Sequence, residues 1–186
     1  MNMQLKISRK HIGYFIVFGI CFVAIIISAN LLLPIGKPPS QPRIPQGVIL
    51  SGSFDKNKLK SDAQWKKILS QTQYHILREA GTEIPFTGVL EYENRKGTYY
   101  SVGCDEPVFR SEQKYDSGTG WPSFWNPIDA SALVLREDRS VPGDVRIEVL
   151  DQCGGHLGHV FDDGPQPTGK RYCMNSAALY FVPDKK

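Results

Sequence analysis

The apolar positions divide this 186-residue chain into an uncharged N-terminal stretch and a longer region of short, interrupted patterns. Residues 12–33 contain no charged side chain, a length sufficient for one helix to cross a bilayer core. Five of the 13 prolines fall within residues 34–47, which predicts an extended, semi-rigid linker. We therefore expect a transmembrane helix at 12–33, a linker at 34–47 and a folded domain at 48–186.

The domain is predicted to begin with helices and to continue as strands. Between residues 56 and 80 the apolar side chains recur mostly at intervals of three or four, which is typical of one or two amphipathic helices, and Gly81 is a natural helix stop. After Pro85 the apolar runs are short and are separated by Gly, Pro, Asp and Ser. The predicted strands lie at 97–102, 107–110, 132–136, 145–150, 159–161 and 172–182. The pattern predicts a mainly β (α+β) fold, an antiparallel β domain with helices at its N-terminal end.

The distribution of charge predicts how the chain is oriented in the membrane and argues against nucleic acid as a partner. The formal net charge of +3 is accounted for by Lys6, Arg9 and Lys10, because the remaining 19 basic residues equal the 19 acidic residues. A neutral body without a basic stripe argues against nucleic-acid binding. The three cations precede residues 12–33, so the positive-inside rule predicts a cytoplasmic N-terminus at residues 1–11.

The domain is accordingly expected outside the cytoplasm, in a periplasm or on an outer membrane face. The apolar run would then be an uncleaved signal anchor that makes the chain a single-pass membrane protein. A cleaved secretory signal is the alternative, since Ser28 and Ala29 are small residues of the kind found at cleavage sites.

A cysteine near the C-terminus stands among side chains suited to redox chemistry. If Cys173 lies on a strand, period-two alternation places Arg171 and Asn175 on the same face as its thiol. His156 and His159 precede it by a short stretch, and we expect their two imidazoles to lie within reach of the thiol. The combination indicates cysteine redox chemistry, whereas a cysteine on an apolar strand is otherwise most often a small buried hydrophobe.

Four ordered motifs identify the family that the chain resembles. They are TEIPFTG at 82–88, KYDSGTGWPSF at 114–124, CGGHLGHVF at 153–161 and DGPQPTGKRYCMNS at 163–176. Together they resemble a methionine-R-sulfoxide reductase of the B type, over roughly residues 61–183. The resemblance implies a domain of antiparallel twisted sheets in a β-tent or barrel-like arrangement, and an oxidoreductase that repairs oxidised proteins under oxidative stress.

The resemblance also implies roles for single residues. Cys173 matches the redox-active cysteine whose thiolate attacks the sulfoxide sulfur, releases methionine and becomes a sulfenic acid. The residues that would orient and protonate the sulfoxide oxygen are His156, His159 and Asn175, and Arg171 would favour the thiolate. Trp121 would pack against the ε-methyl group of the substrate, with Phe161 beside it. An apolar wall facing polar donors would select the R epimer.

The chain departs from the family at the positions of a structural zinc site. Many relatives hold zinc with two CxxC pairs, but Ser101 and Leu150 replace one cysteine of each pair here. We therefore expect no cofactor and no metal. The remaining cysteines, Cys104 and Cys153, would come from opposite halves of that site, so the resemblance suggests a structural disulfide between them, in keeping with an oxidising compartment.

A second departure concerns the recycling of the enzyme. Many relatives have a resolving cysteine where this chain has Thr119. Three routes stay open: Cys104 or Cys153 resolves the sulfenic acid, a small thiol reacts first, or an external reductant attacks directly. We favour direct reduction by a thioredoxin-like dithiol.

Two other functions compete with a reductase. A module on the same scaffold could bind apolar or methylated side chains through Trp121 without turnover, although such a module has no need of Cys173. A Cys-His hydrolase would form an acyl intermediate, but no oxyanion-hole motif is evident.

Overall fold

The computed structural model describes residues 47–185 and confirms a mainly β fold with antiparallel sheets and two helices. The helices are α1 (Asp62–Ile68) and α2 (Gln71–Glu79). The strands are β1 (Ile49–Ser51), β2 (Gly97–Ser101), β3 (Pro107–Arg110), β4 (Lys114–Tyr115), β5 (Ser123–Phe124), β6 (Leu133–Asp138), β7 (Arg146–Asp151), β8 (His156–Phe161), β9 (Arg171–Met174) and β10 (Leu179–Pro183).

Local sequence signals define both helices. Ser61 and Ser70 are N-caps with complete capping boxes, in which a glutamine three residues later returns a side-chain contact to the cap backbone. The second helix ends at Glu79, and Ala80 rather than Gly81 takes the left-handed conformation after it, with φ 53°. The apolar pattern between residues 56 and 80 therefore contains two helices, as its spacing allowed.

The strands form two open sheets. The larger sheet has the order β1-β6-β7-β8-β9-β5-β4 and the smaller one the order β10-β2-β3, with every pair antiparallel. The outer strands β1 and β4 do not pair with each other. The barrel-like closure expected from the resemblance is therefore not found within residues 47–185, because the strands divide into two sheets instead of closing one.

A common core joins the sheets to α2 and fixes the central strands of the larger sheet. Phe109 of the smaller sheet stacks on Phe124 of the larger one with ring centroids 4.2 Å apart, and Tyr99 meets the same ring edge-on at 4.9 Å. Ile76 and Leu77 of α2 belong to the same buried cluster. Strands β8 and β9 therefore lie on a close-packed support.

One predicted strand proves to be two. The apolar run at 172–182 contains β9 and β10, which belong to different sheets and are separated by a 3₁₀ turn at Ser176–Ala178. The run looks continuous because Ala178 within the turn is also buried in the core. The short strands β1, β4 and β5 were not predicted, since two or three residues carry no periodic signal.

The described residues leave the membrane segment untested. Between residues 47 and 185 no helix is long and apolar enough to cross a membrane. The predicted transmembrane helix at 12–33, the preceding residues 1–11 and almost all of the linker lie outside the described residues.

Candidate active site

One face of the larger sheet carries a row of polar side chains across its central strands. Cys173 on β9 lies opposite His159 on β8 and opposite Ser123 on β5. His159 in turn lies opposite Glu148 on β7. Since directly opposed residues of antiparallel strands point to the same face, these side chains are neighbours.

The other face of the same strands belongs to the core. Met174 and Val160 alternate with Cys173 and His159, and both are buried. Gly158 permits the close pairing, because a Cβ atom there would overlap the carbonyl oxygen of Cys173. The strands that carry the thiol and the imidazole are thus held together by both packing and backbone contact.

A cavity of about 160 Å³ opens beside the thiol. It is lined by Thr82, Trp121, Arg146, Gly158, His159, Phe161, Cys173, Met174 and Asn175. The cavity thereby brings together five of the predicted site residues. The other two, His156 and Arg171, are not among its lining residues.

Hydroxyl groups surround the sulfur of Cys173. Thr119 Oγ1 lies 3.8 Å from Cys173 Sγ. Ser117 Oγ lies 2.8 Å from Thr119 Oγ1 and 2.7 Å from Ser123 Oγ, so it links these two hydroxyl groups. Burial raises the pKa of the Cys173 thiol, while hydrogen bonds from Thr119 and Ser123 and the charge of Arg171 oppose that rise. The net direction is upward, so the resting group is a thiol.

Arg171 acts on the thiol from beside the cavity. Its guanidinium donates two hydrogen bonds to the Asp163 carboxylate, at 2.8 and 2.7 Å, and stacks over the Phe161 ring at 4.4 Å. This arrangement fixes the cation, whose charge lowers the pKa of Cys173.

His159 is held by a hydrogen bond to a carboxylate that the sequence did not reveal. Its Nε2 lies 2.8 Å from Asp138 Oδ2, and Arg146 donates to the same carboxylate oxygen at 2.7 Å. Burial alone would raise the pKa of Asp138, but hydrogen bonds from Ser140, His159 and Arg146 hold it well below its usual range. Burial, together with the neighbouring His156 and Arg146, lowers the pKa of His159, although Asp138 opposes that shift. Asp138 is therefore an ionised acceptor and His159 a neutral imidazole.

His156 lies beside His159 but is not among the residues that line the cavity. The β7–β8 register shifts so that Leu157 is an extra residue, which brings His156 to the face of His159 with the ring centroids 5.3 Å apart. Its Nδ1 contacts Glu148 at 2.8 Å, and only 2% of the residue is exposed. Arg136 donates to the same Glu148 carboxylate at 2.8 Å.

Asn175 and Trp121 are tied to the loop that precedes β2. Asn175 Oδ1 accepts from the Glu83 N–H at 3.0 Å, and its amide nitrogen donates to the Leu157 carbonyl at 3.1 Å. Trp121 Nε1 donates to the Glu83 carbonyl at 3.1 Å. Glu83 thus positions two residues of the cavity at once.

Cys104 and Cys153 form a disulfide with their Cα atoms 5.4 Å apart, within the ordinary range. Cys104 lies in the β2–β3 turn and Cys153 in the β7–β8 turn, so the bridge joins the two sheets. Trp65 of α1 packs against it.

The residues around this disulfide do not fit a zinc ion. Asp151 lies with the two sulfurs in a group whose possible ligand atoms are within 4.8 Å of one another. However, the sulfurs are bonded to each other, and the Asp151 carboxylate accepts from Ser101 Oγ and from the Cys153 and Gly155 N–H groups. Burial also raises the pKa of Asp151, which disfavours the anion a metal needs. Leu150 is buried and offers no ligand atom.

Three residues around the cavity were not predicted from the sequence. Asp138 and Arg146 are in contact because β6 and β7 pair in the register Asp138↔Arg146, and no sequence motif predicts that register. Arg146 lines the cavity, and its buried Nε has no partner among residues 47–185. Thr82 belongs to a motif that carried the resemblance, and that membership was the available signal.

Comparison with known proteins agrees with this arrangement. A family model described as the SelR domain matches residues 69–183. The peptide methionine sulfoxide reductase MsrB of Hahella chejuensis is 54% identical over 129 residues, which cover 69% of this chain and 91% of the relative. The MsrB proteins of Leptospira interrogans and Methanosarcina barkeri are 53% and 51% identical, covering 66% and 68% of this chain and 93% and 89% of their own lengths. The resemblance is confirmed, and the chain belongs to the SelR-domain, MsrB-type family of peptide methionine sulfoxide reductases.

Proposed function

We propose that Cys173 carries out, in this chain, the reduction of methionine-R-sulfoxide in proteins that defines its family. The observation that carries the assignment is the free thiol of Cys173 on the wall of a cavity that also contains Trp121, Phe161 and His159. A non-catalytic binding module would have no use for that thiol, and the family membership of the chain favours the enzyme.

The chemistry transfers one oxygen atom and two electrons. The Cys173 thiolate attacks the sulfoxide sulfur, the sulfur–oxygen bond of the substrate breaks, and the oxygen ends on Cys173 as a sulfenic acid while methionine leaves. The methionine sulfur is reduced and the cysteine sulfur is oxidised. Two thiols of a reductant then regenerate the Cys173 thiol, forming one disulfide and one water.

The tautomer of His159 supports its role as proton carrier. An ionised Asp138 can only accept a hydrogen bond, so His159 Nε2 carries the proton and Nδ1 keeps a lone pair. Nδ1 would take the thiol proton of Cys173 and deliver it to the sulfoxide oxygen. Asp138 then stabilises the imidazolium that forms, as a positioning residue.

The other polar residues have supporting roles in this scheme. The Nε–H group of Arg146 is a candidate donor to the sulfoxide oxygen as negative charge develops there. The second N–H of the Asn175 amide is another. His156, fully buried beside His159, would set the position of that ring and would not touch substrate.

Selection of the R epimer follows from the asymmetry of the cavity. Trp121 and Phe161 offer apolar surface to the ε-methyl group, whereas His159 and Arg146 offer polar groups to the oxygen. In the S epimer the oxygen and the methyl group would exchange places, and an unpaired polar atom would face an aromatic ring.

An external thiol reductant completes the cycle. Within residues 47–185 Cys173 is the free cysteine, while Cys104 and Cys153 bond to each other, so neither is a thiol that could resolve the sulfenic acid. A thioredoxin-like dithiol is the proposed donor. The disulfide would replace the zinc clip of other family members, which fits a chain that needs no cofactor.

The uncharged segment 12–33 supports a membrane location. We expect the full-length chain in the membrane fraction, with its domain accessible to protease added outside bacterial spheroplasts. Deletion of residues 1–33 should release the chain into the soluble fraction. Recovery of a soluble chain that starts near Ala29 would instead identify a cleaved signal.

The decisive test is turnover of both epimers of a peptide-bound methionine sulfoxide by the full-length chain with dithiothreitol. We expect reduction of the R epimer alone, and none by the Cys173→Ser variant. Equal activity in Cys173→Ser would remove Cys173 from the reaction.

A further inference from the structure

The loop between α2 and β2 exposes four large apolar side chains within nine residues. Their exposed fractions are 71% for Ile84, 57% for Phe86, 83% for Val89 and 65% for Tyr92. Scattered single exposed residues are ordinary, but a group beside a cavity suggests an interaction surface.

The backbone beneath these side chains is fixed. The Glu83 carboxylate accepts from the N–H groups of Ser176 and Ala177, and the Leu90 N–H donates to Ser176 Oγ at 2.8 Å. The exposed side chains therefore project from an anchored loop, which reduces the entropy lost when a partner binds.

Phe86 is held in a conformation that its own packing does not explain. Its φ of 64° lies in the left-handed region, which is unusual for a bulky residue. The Phe86 N–H donates to the Gly120 carbonyl at 2.7 Å and keeps it there, although the ring stays mostly exposed. Strained residues that gain little burial are found at binding sites.

Phe86, Tyr92 and Tyr115 line a second cavity of about 440 Å³ together with polar and charged residues, among them Glu91, Glu93, Arg95, Lys114 and Asp116. We call the three aromatic residues and this cavity the aromatic groove. The Tyr115 hydroxyl is buried and has no hydrogen-bond partner among the residues that the structure describes. Burial raises the pKa of this hydroxyl, and the charged groups that also act on it are Arg171, Asp163 and Cys173, so it lies toward the Cys173 side of the groove.

The aromatic groove lies next to the cavity of Cys173. Residues 118–121 form the wall between them: Gly118 lines the groove, Thr119 contacts the sulfur, and Trp121 lines the Cys173 cavity. Tyr115 lies opposite Ser123, which lies opposite Cys173. Two strand spacings amount to about 10 Å, which is roughly three residues of extended chain.

We propose that the aromatic groove binds the polypeptide on one side of the methionine sulfoxide, about three residues from it. The proposal rests on the function assigned to Cys173 and makes it more specific: the substrate is an extended segment of an oxidised protein. Phe86 and Tyr92 pack against its side chains. A folded, compact surface around the sulfoxide could not enter the groove.

The test compares substrates that differ only in flanking residues. They are the capped single residue N-acetylmethionine-R-sulfoxide amide and two peptides that extend it by three residues, one on the N-terminal and one on the C-terminal side. With dithiothreitol as reductant, the extension on one side should raise kcat/KM by about 10-fold or more, the effect of burying one large apolar side chain. Tyr92→Ala and Phe86→Asn should each remove most of that ratio, since asparagine tolerates the left-handed conformation.

Tyr180→Ala is the matched control, because Tyr180 is an exposed aromatic residue on β10 of the smaller sheet, and it should leave the ratio unchanged. Absence of a gain on either side, or a gain that survives both groove substitutions, would overturn the proposal. So would a variant that keeps the ratio and loses turnover only with a thioredoxin-like protein, since the groove would then serve the reductant. Failure of the native chain to reduce any of the three substrates would refute the function of Cys173, and the groove proposal with it.

Discussion

The sulfur of Cys173 is subject to two opposing effects at the residue scale. Burial in the cavity raises its pKa, and the Thr119 hydroxyl, 3.8 Å from Sγ, and the Arg171 charge oppose that rise. Substrate binding must therefore occur beside a thiol whose conversion to the thiolate depends on a few neighbouring groups.

Removal of the Thr119 hydroxyl should make that thiolate harder to form. In Thr119→Val, which keeps the shape of the side chain, the pKa of Cys173 should rise further because a hydrogen bond to the anion is lost. The rate of alkylation of Cys173 by iodoacetamide, followed against pH by mass spectrometry, should shift to higher pH. Thr119→Ser retains the hydroxyl and should behave like the native chain; a common profile for all three would contradict the role.

Asp138 is the residue whose substitution tests the proton path. In Asp138→Asn the anion that raises the pKa of His159 is lost, while Arg146, His156 and Cys173 still surround the ring. Because neutral His159 must accept the thiol proton, the rise of kcat/KM with pH should move to lower pH. The imidazolium also loses its stabilising partner, so kcat should fall by about 10- to 100-fold.

Asp144→Asn is the matched control for this prediction. Asp144 is exposed in the β6–β7 hairpin that carries Asp138, so Asp144→Asn removes the same charge at a distance from the His159 ring. Its pH profile should match that of the native chain. A fall in kcat for Asp138→Asn without any shift of the profile would indicate a merely structural role.

At the element scale, the disulfide is the contact that joins two turns of different sheets. The bridge closes a loop with a sequence separation of 49 residues, for which the chain-entropy treatment gives about 4 kcal/mol of stabilisation. Cys104→Ala with Cys153→Ala should lower the free energy of unfolding in urea by about that amount, whereas Cys173→Ala should change it little. Equal stability of the double variant would contradict the role of the bridge.

The double variant should still turn over the R epimer, because both cysteines lie away from the Cys173 cavity.

Chelation tests independently whether a metal binds near the disulfide. Treatment of the native chain with EDTA should leave its urea midpoint unchanged, since the bonded sulfurs and Asp151 do not fit zinc. A lower midpoint after chelation would show that a metal stabilises the chain.

The elements show how far local pattern can predict this fold. The helices were predicted from apolar spacing, and the capping boxes that the structure shows at Ser61 and Ser70 are local signals as well. The division of 172–182 into β9 and β10 depends on Asn175, whose N–H bonds to Leu157 of another strand, and such long-range contacts leave no mark on the periodicity. Asp138 was not predicted for the same reason, because its contact with His159 arises only from the pairing of β6, β7 and β8.

The candidate site was more predictable than the topology because its residues lie within ordered motifs. Cys173, His159, Trp121, Phe161 and Asn175 line one cavity, as the resemblance led us to expect. The position of His156 beside His159 could not be predicted from their spacing of three residues, because regular alternation would send His156 to the opposite face. The extra residue Leu157 reverses that expectation.

At the scale of the whole molecule, the placement of the thiols determines how the enzyme is recycled. After one turnover without reductant, each chain should release one equivalent of methionine and keep a sulfenic acid on Cys173, which dimedone would label. No disulfide from Cys173 should form, because Cys104 and Cys153 are already bonded to each other. A Cys173 disulfide to either of them would contradict this prediction.

Substitution of Thr119 should then change the recycling route in a defined way. In Thr119→Cys the new thiol would stand where a hydroxyl now contacts Cys173 Sγ, so it should attack the sulfenic acid, form a disulfide and release water. Dimedone labelling after one turnover should disappear, and a peptide joining residues 119 and 173 should be detected without reduction. Persistent labelling of Cys173 in this variant would mean that the two sulfurs cannot meet, and that the thiol reductant must enter from another side of the cavity.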